Sequence, residues 1–399
     1  MSVIKHPSAP RKILLGITGG IAAYKAAELV RLLVKQSYDV QVVMTEAACQ
    51  FITSTTMQAL SGKPVLGNLW GNNVNNGMAH IDLSREADLI LIAPASADFI
   101  AKLAYGFADD LLSTLCLARD CPLMIAPAMN KQMWENPATQ RNIAQLTQDQ
   151  IEILLPDSGE QACGETGTGR MQEPASILAA VTAHFTPKLF ANKNILITAG
   201  ATIEMIDPVR GITNLSSGKM GYAIAQAAAD MGANVTLVSG KTEITPPSNV
   251  RVVSAVSAEN MYRSVMQHML HQDIFISVAA VADYSPVAPS AEKIKKESSS
   301  ISLELKKNKD ILSEVASLPN PPFCVGFAAE TENLIAYASQ KRIAKKIPLI
   351  VANLVQESMG QDKAHIHLID EYGVHTVPPD NKQNLADTIL THIHQLQRR

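Results

Sequence analysis

Two stretches of this sequence place anion-holding groups directly after short apolar runs. Thr18-Gly19-Gly20 follows Lys12–Ile17 and precedes an Ala/Leu-rich segment. Glycines between a strand and a helix let backbone N–H groups approach a phosphate, and the helix start adds its dipole. Such turns also serve packing alone, and the spacing is not G-x-G-x-x-G, which disfavours an ordinary NAD site. Thr45, Ser54, Thr55, Thr56, Ser96 and Ser113 add hydroxyls expected on the carboxyl edge of the same sheet, where open α/β sheets bind ligands. Gly19, Gly20, Thr45, Ser96 and Ser113 are therefore candidate contacts to a nucleotide-like cofactor. His80, after a Gly/Asn-rich stretch, reads on its own as an exposed loop histidine. Asn130, in Pro127-Ala128-Met129-Asn130, reads as a cap for the next helix. Cys163 lies between Gly159 and Gly164 in a glycine-rich segment, where a thiol of free pKa ~8.5 can donate a proton.

The second stretch is Ile212–Gly221, in which Ser216-Ser217-Gly218 stands before another Ala-rich helix. Arg210 and Asn214 lie within reach of a carboxylate or phosphate held there. The Gly-x4-Gly-Lys-Ser/Thr spacing of a Walker loop is missing. Asp283 ends the apolar run that begins near Asp273. Lys293, Lys295, Lys296, Lys306, Lys307 and Lys309 follow it and read either as a solvated loop or as a cluster that meets a triphosphate.

The elements that position these groups repeat. Lys12–Ile17, Val40–Met44, Asp88–Ala93 and Leu123–Ala126 are apolar runs suited to parallel strands covered on both faces. Helical stretches fall between them, from about Ile21 to Lys35 and near Asp98–Tyr105, Asp110–Ala118 and Pro137–Gln148. Asn194–Thr198 restarts the pattern, with a helix over Lys219–Met231 and strands at Asn234–Val238, Arg251–Ala255, Asp273–Ala279, Phe323–Phe327 and Leu349–Ala352. A helix over Asn384–Gln397 closes it. The alternation predicts two doubly wound, Rossmann-like α/β domains, 1–187 and 188–399, joined near Phe185–Lys193. Asp157–Glu173 and Pro286–Asp310 break the rhythm and read as lids, the latter with a short strand at Ser302–Lys306.

At 399 residues the chain exceeds one ordinary core. A net charge of −3 and 5% aromatic residues give no reason to expect nucleic acid or an anionic membrane as partner. No apolar run approaches ~20 residues, and Met1–Lys12 has no apolar core of a leader. Five cysteines without a C-x-x-C pair fit a reducing cytoplasm.

Taken together, the motifs of the first half resemble the flavin-containing cysteine decarboxylases, specifically the phosphopantothenoylcysteine decarboxylases, over about Lys12 to Ala183. The carriers are GITGGIAAYKA, His80-Ile81-Asp82, Ala93–Asp98, Pro127–Asn130 with Met133-Trp134, and Ala162-Cys163-Gly164 running to Gly169-Arg170-Met171. The resemblance implies a flavodoxin-like domain holding FMN. The flavin would oxidise a cysteinyl CH–SH to a thioaldehyde that permits loss of CO2, then reduce the ene-thiol. It further implies that His80 is a base or proton relay, that Asn130 holds the carboxylate, and that Cys163 donates the last proton.

The second half resembles the phosphopantothenate–cysteine ligases over about Lys193 to Leu396, through DPVR-x-ITN-x-SSGKMG, SVAAVADY, EKIKK, VGFAAET and QKR. That resemblance implies CTP, Mg2+ and an acyl-cytidylate attacked by the cysteine amine. Ser277, Val278, Ala279, Asp283, Lys293, Lys309, Asp310, Ile311, Leu312, Phe327, Lys341 and Lys345 would line the CTP site, with Lys293 following the departing pyrophosphate. Arg210 and Asn214 would serve the acyl chemistry, and Mg2+ would be held mainly by CTP phosphates. Asn308-Lys309-Asp310-Ile311 departs from the family's Asn-Pro-Asp-Ile. Implied substrates are 4'-phosphopantothenate, cysteine, CTP and 4'-phosphopantothenoylcysteine. The implied assembly is a homo-oligomer with a trimer-based flavoprotein core and dimeric ligase domains. A non-catalytic flavoprotein binding subunit is the competing reading, against which His80, Asn130 and Cys163 stand together.

Overall fold

The computed structural model describes residues 10–67, 79–162, 164–247, 249–295, 301–354 and 363–399, with the side chains of 79–82 outside that description. The chain divides into two compact units, Met1–Phe185 and Thr186–Arg399. Among the described residues no helix is long and apolar enough to cross a membrane.

The first unit runs β1 (Lys12–Ile17), α1 (Ala23–Lys35), β2 (Asp39–Met44), α2 (Ser54–Ser61), α3 (Ala79–Glu86), β3 (Leu89–Ala95), α4 (Ala97–Tyr105), α5 (Leu111–Leu117), β4 (Leu123–Pro127), α6 (Lys131–Glu135), α7 (Pro137–Gln148), β5 (Glu152–Ile153), the hairpin β6 (Asp157–Glu160) and β7 (Thr166–Arg170), and α8 (Pro174–Phe185). Its sheet has the order β2-β1-β3-β4-β5, all parallel. Every residue of β3 and of β4 is buried, because helices cover both faces. On α1, Ala23, Ala26, Leu29, Val30 and Leu33 recur at helical spacing and face the core. Ser54, Thr55 and Thr56, expected at a strand end, form the first turn of α2, capped by Thr53.

The second unit runs β8 (Asn194–Ala199), the hairpin β9 (Ile203–Met205) and β10 (Gly211–Thr213), α9 (Lys219–Asp230), β11 (Asn234–Ser239), β12 (Arg251–Ser254), α10 (Ala258–His268), β13 (Ile274–Ser277), β14 (Tyr284–Pro286), β15 (Leu305–Lys307), α11 (Ile311–Ala316), β16 (Phe323–Glu330), α12 (Leu334–Lys345), β17 (Leu349–Leu354), β18 (Lys363–Asp370), β19 (Gly373–Asn381) and α13 (Lys382–Gln397). Its eight-stranded sheet has the order β12-β11-β8-β13-β16-β17-β18-β19. The first six strands are parallel and follow the dinucleotide-fold order 3-2-1-4-5-6. The last two add antiparallel at one edge. Pro378 and Pro379 are tolerated there because β19 is an edge strand. Leu385, Ala386, Ile389, Leu390 and Ile393 of α13 are fully buried in the core that α9 shares, each large side chain contributing about 1.5–3 kcal/mol.

The segment expected to be a lid over Asp157–Glu173 is thus largely a β-hairpin. In the other expected lid the strand lies at Leu305–Lys307, paired with Tyr284–Pro286, rather than at Ser302–Lys306. That shift keeps Lys307 opposite Tyr284.

Candidate active sites

In the first unit the carboxyl ends of β1, β3 and β4 meet at the point where strand order reverses, which is where open α/β sheets hold ligands. Thr18 ties two of these ends together. Its hydroxyl donates to the Pro94 carbonyl (2.8 Å) and accepts from the Ser96 N–H (2.9 Å). A cavity of about 670 Å3 opens beyond it, lined by Gly19, Gly20, Ser96, Asn130, Met133 and Ala162 among others. The two glycines differ in kind. A methyl at Gly19 would meet the Ala47 methyl at 2.6 Å, whereas one at Gly20 would meet nothing within 4 Å. Gly19 is required by packing; Gly20 leaves the approach to the start of α1 open. That start carries no side-chain cap, so its N–H groups face the cavity side without a side-chain acceptor.

Ser96 caps α4 by accepting from the Phe99 N–H at 3.2 Å. Asn130 caps α6, with Oδ1 accepting from the Met133 N–H (2.9 Å) and Nδ2 donating to Gln132 (2.8 Å). Capping and cavity lining coexist in both residues. Thr45 and Ser113 are not in the lining. Thr45 accepts from the Ala48 N–H at 3.2 Å. Ser113 is buried in a capping box with Asp110. His80 begins the second residue of α3, but its side chain lies outside the described residues, as does all of Cys163.

The hairpin β6–β7 is pinned over this cavity at several points. The Met129 N–H donates to Gly169 O (2.9 Å), and the Lys131 N–H donates to Gln161 Oε1 (2.9 Å). At its base Lys25, with only 9% of its side chain exposed, donates to Met171 O (3.0 Å) and Glu173 (2.7 Å). Sequence reasoning missed Lys25 and Gln161. Lys25 had a visible signal, a lysine on the apolar face of a helix.

In the second unit Thr198 repeats the role of Thr18, its hydroxyl accepting from the N–H groups of Val278 and Ala279 (both 3.2 Å). Here the chain leaves the switch point through β9–β10 before α9 begins. Gly218 caps α9 at φ 78°, a conformation glycine adopts without strain, and its Cα side packs on Gly200. A cavity of about 230 Å3 lies against Ser216–Gly221, Val278 and Lys382. A neighbouring one of about 400 Å3 is lined by Ser277, Ala279, Asp283, Lys309, Asp310, Ile311, Leu312, Phe327, Lys341 and Lys345. Of the twelve residues assigned to CTP, only Val278 and Lys293 are absent from that lining.

The lysines of this cavity have partners at hand. Lys341 binds Glu330 (2.6 Å), Lys345 binds Asp310 (2.5 Å), and the Lys309 ammonium sits 4.0 Å from the Tyr262 ring centroid. Burial raises the Asp310 carboxyl, but the Lys345 hydrogen bond outweighs it and the net direction is down. Asp310 also caps α11 through the Ser313 N–H. Asn308 is stapled to Ala282 O (2.8 Å), so the Lys309 departure from the family pattern leaves this turn tied down.

Arg210 does not open toward either cavity. Its guanidinium binds the buried carboxylate of Asp207 through Nε (2.9 Å) and Nη2 (2.5 Å), and Nη2 also reaches Ile294 O (2.8 Å). That ion pair holds the Asp207 carboxyl well below the usual carboxylate range. Because Ile294 is claimed by the pair, Lys293 is exposed beside it. Asn214 donates to Val281 O at 3.2 Å, two residues from Asp283.

Comparison with known proteins gives these sites a family. A family model described as Flavoprotein matches residues 2–186, and the DNA/pantothenate metabolism flavoprotein C-terminal domain matches 190–396. The coenzyme A biosynthesis bifunctional protein CoaBC of Vibrio vulnificus is 50% identical over 394 residues, covering 97% of this chain and 98% of the relative. The protein of the same name from Escherichia coli K12 is 47% identical, covering 96% and 97%. This chain belongs to the coenzyme A biosynthesis bifunctional proteins. Within that family both units are enzymatic, a decarboxylase half and a ligase half. Among solved structures, that of the FMN-dependent cysteine decarboxylase SpaF is 32% identical, covers 44% of this chain and 97% of its own, and has a TM-score of 0.39.

Proposed function

We propose that the chain performs two consecutive steps of coenzyme A biosynthesis. The unit from about 188 onward joins 4'-phosphopantothenate to cysteine with CTP, through an acyl-cytidylate. The unit up to about 187 then decarboxylates 4'-phosphopantothenoylcysteine to 4'-phosphopantetheine. The observation that carries this reading is a separate cavity at the switch point of each sheet, in a chain that matches its family over nearly its whole length.

The first cavity suits FMN. Its volume lies in the range of cofactor sites, its walls mix apolar side chains with Ser96 and Asn130, and the uncapped start of α1 offers N–H groups to a phosphate. When bound, the flavin supplies a reversible two-electron oxidation beside the substrate carboxylate. Asn130 orients that carboxylate through its side-chain amide, giving up its contact with Gln132. His80 moves the first proton, and Cys163, at the turn of the pinned hairpin, returns the last one.

In the second unit Lys309, Lys341 and Lys345 offset the triphosphate charge, exchanging their present partners for phosphate oxygens. Asp283 stands in the lining without a salt bridge among the described residues, and with phosphate oxygens it would hold Mg2+. Asn214 positions the activated acyl group for the cysteine amine, and Arg210 fixes the loop on which Lys293 sits. Lys293 reaches the leaving pyrophosphate from that loop.

Purified chain supplied with 4'-phosphopantothenate, cysteine, CTP and Mg2+ is expected to release CMP, pyrophosphate and CO2 in equal amounts. Release of none of these would end the proposal. Lys293→Gln is expected to stop pyrophosphate release, whereas Asn214→Asp accumulates acyl-cytidylate. Cys163→Ser is expected to release CO2 for one turnover and then stop. Normal turnover in any of the three removes the role assigned to that residue alone.

A further inference from the structure

We propose that Asp370, His375 and His392 form a binding site for a divalent transition-metal ion such as Zn2+, in a part of the second unit that neither cavity uses. The three residues arrive from different elements: the last residue of β18, the third of β19, and the last turns of α13. Their ligand atoms lie within 4.8 Å of one another, and among the described residues this is the one place where three groups of that chemistry converge.

The geometry is close to that of a metal centre. Oδ2 of Asp370 sits 2.8 Å from His392 Nε2 and 3.1 Å from His375 Nε2. Zinc bonds of ~2.0–2.1 Å in a tetrahedron hold neighbouring ligand atoms roughly 3.3 Å apart. A spread of a few tenths of an ångström therefore admits the ion. The other carboxylate oxygen accepts from the N–H groups of Tyr372 (2.7 Å) and Gly373 (3.0 Å), which fixes the carboxylate plane and leaves Oδ2 for the metal. The Asp370 side chain is buried and His392 nearly so, while 44% of the His375 side chain is exposed. The ion thus has a rigid inner side and an open outer side for entry and for a water ligand.

Binding exchanges two hydrogen bonds for three coordinate bonds. Each Nε2–H now pointing at the carboxylate must leave, and in a neutral imidazole that proton moves to Nδ1, so no net proton is released. Two imidazoles and one carboxylate favour Zn2+, Co2+ or Ni2+ over Mg2+ or Ca2+, which separates this site from any Mg2+ carried by a nucleotide.

The location gives the site a consequence. Ala364 and Ile366, early in β18, and Lys382, the first residue of α13, line the cavity at the start of α9. Asp370 lies about 13 Å further along β18 and His392 about 15 Å further along α13. The ion would clip together the far ends of the two elements whose near ends border that cavity.

The test uses the full chain, stripped with a chelator and kept free of nucleotide, with Co2+ as the spectroscopic probe. One equivalent of Co2+ is expected to give visible d–d bands that Zn2+ abolishes by competition, and the melting temperature of the second unit is expected to rise by about 5 °C at saturating Zn2+. His375→Ala and His392→Ala should each weaken Co2+ binding about 100-fold or more. His271→Asn, at an exposed turn with φ 65°, should bind as the parent does. His375 is half exposed, so its variant keeps the test sound if Asp370→Asn fails to fold; circular dichroism checks this. No d–d bands at millimolar Co2+, or equal uptake by the folded His375→Ala/His392→Ala double variant, would overturn the site and leave a hydrogen-bonded staple.

Discussion

The two units solve one problem with the same first move and different second moves. Each ends its central strand near a threonine whose hydroxyl captures backbone N–H groups from the strand across the switch point: Thr18 with Ser96, Thr198 with Val278 and Ala279. In the first unit the helix follows almost at once, and the roof is a separate hairpin from more than a hundred residues later. In the second, the chain first makes β9–β10, and α9 starts only at Lys219. A short connection leaves a roomy, largely apolar pocket suited to a planar cofactor. A long one brings polar loop residues to the helix start and sets lysines beside it, which suits a triphosphate. The threonine builds the floor; the length of chain after it decides what the floor carries.

The glycines offer the sharpest way to break this comparison. A methyl at Gly221 would meet the Ala199 methyl at 2.5 Å, much as one at Gly19 would meet Ala47. Gly19→Ala and Gly221→Ala are each expected to cost about 1–3 kcal/mol on the urea transition of their own unit. Gly20→Ala should leave that transition in place and lose only retention of the yellow cofactor. Parent-like stability in Gly19→Ala would mean that the β1–α1 turn is not held by packing.

The threonines come next. Thr18→Val strips an acceptor from one N–H group and Thr198→Val from two, so each should destabilise by about 1–3 kcal/mol, with the larger loss at Thr198. Equal effects would show that one of the two 3.2 Å bonds contributes nothing.

Lys25→Met tests the hairpin. Removing the donor from Met171 O and Glu173 should leave global stability little changed. Limited proteolysis within Asp157–Arg170 should become severalfold faster, and an unchanged cleavage rate would demote Lys25 to a packing residue. The smallest effect is chemical. Burial pushes the Cys116 and Cys324 thiols up to about 12, one in each unit, whereas Cys49 is exposed. Brief alkylation at mildly alkaline pH should label Cys49 and spare both buried thiols until unfolding, as peptide mapping would record.

Much of the fold is legible because buried parallel strands are written as uninterrupted apolar runs, and β1, β3, β4, β8 and β16 all read that way. The hairpin β18–β19 was not legible. Its strands are half exposed and carry histidines, a lysine and two prolines, so neither run length nor alternation marks them. The short excursions β9–β10 and β14–β15 are held by pairing between distant segments rather than by local pattern. At the sites, helix-start glycines and strand-end residues could be placed from sequence, since topology alone brings them to one edge. Arg210 could not, because a free guanidinium and one claimed by Asp207 look the same in a sequence. Ser113 was misleading for a related reason: a hydroxyl after Asp110 caps its own helix as readily as it meets a ligand.

The hairpin over the first cavity is built of glycine, threonine and charged residues, with little apolar area of its own. Two strands of that composition do not hold together unaided in water. Its order is therefore underwritten by contacts beneath it, from Met129, Lys131 and Lys25, and by whatever fills the space they border. Folding of the ribbon and occupancy of the pocket become linked equilibria, so an apparent dissociation constant there combines the grip of the walls with the entropy of settling the roof. Strengthening the pins at the base would tighten binding of the cofactor without adding a single atom that touches it.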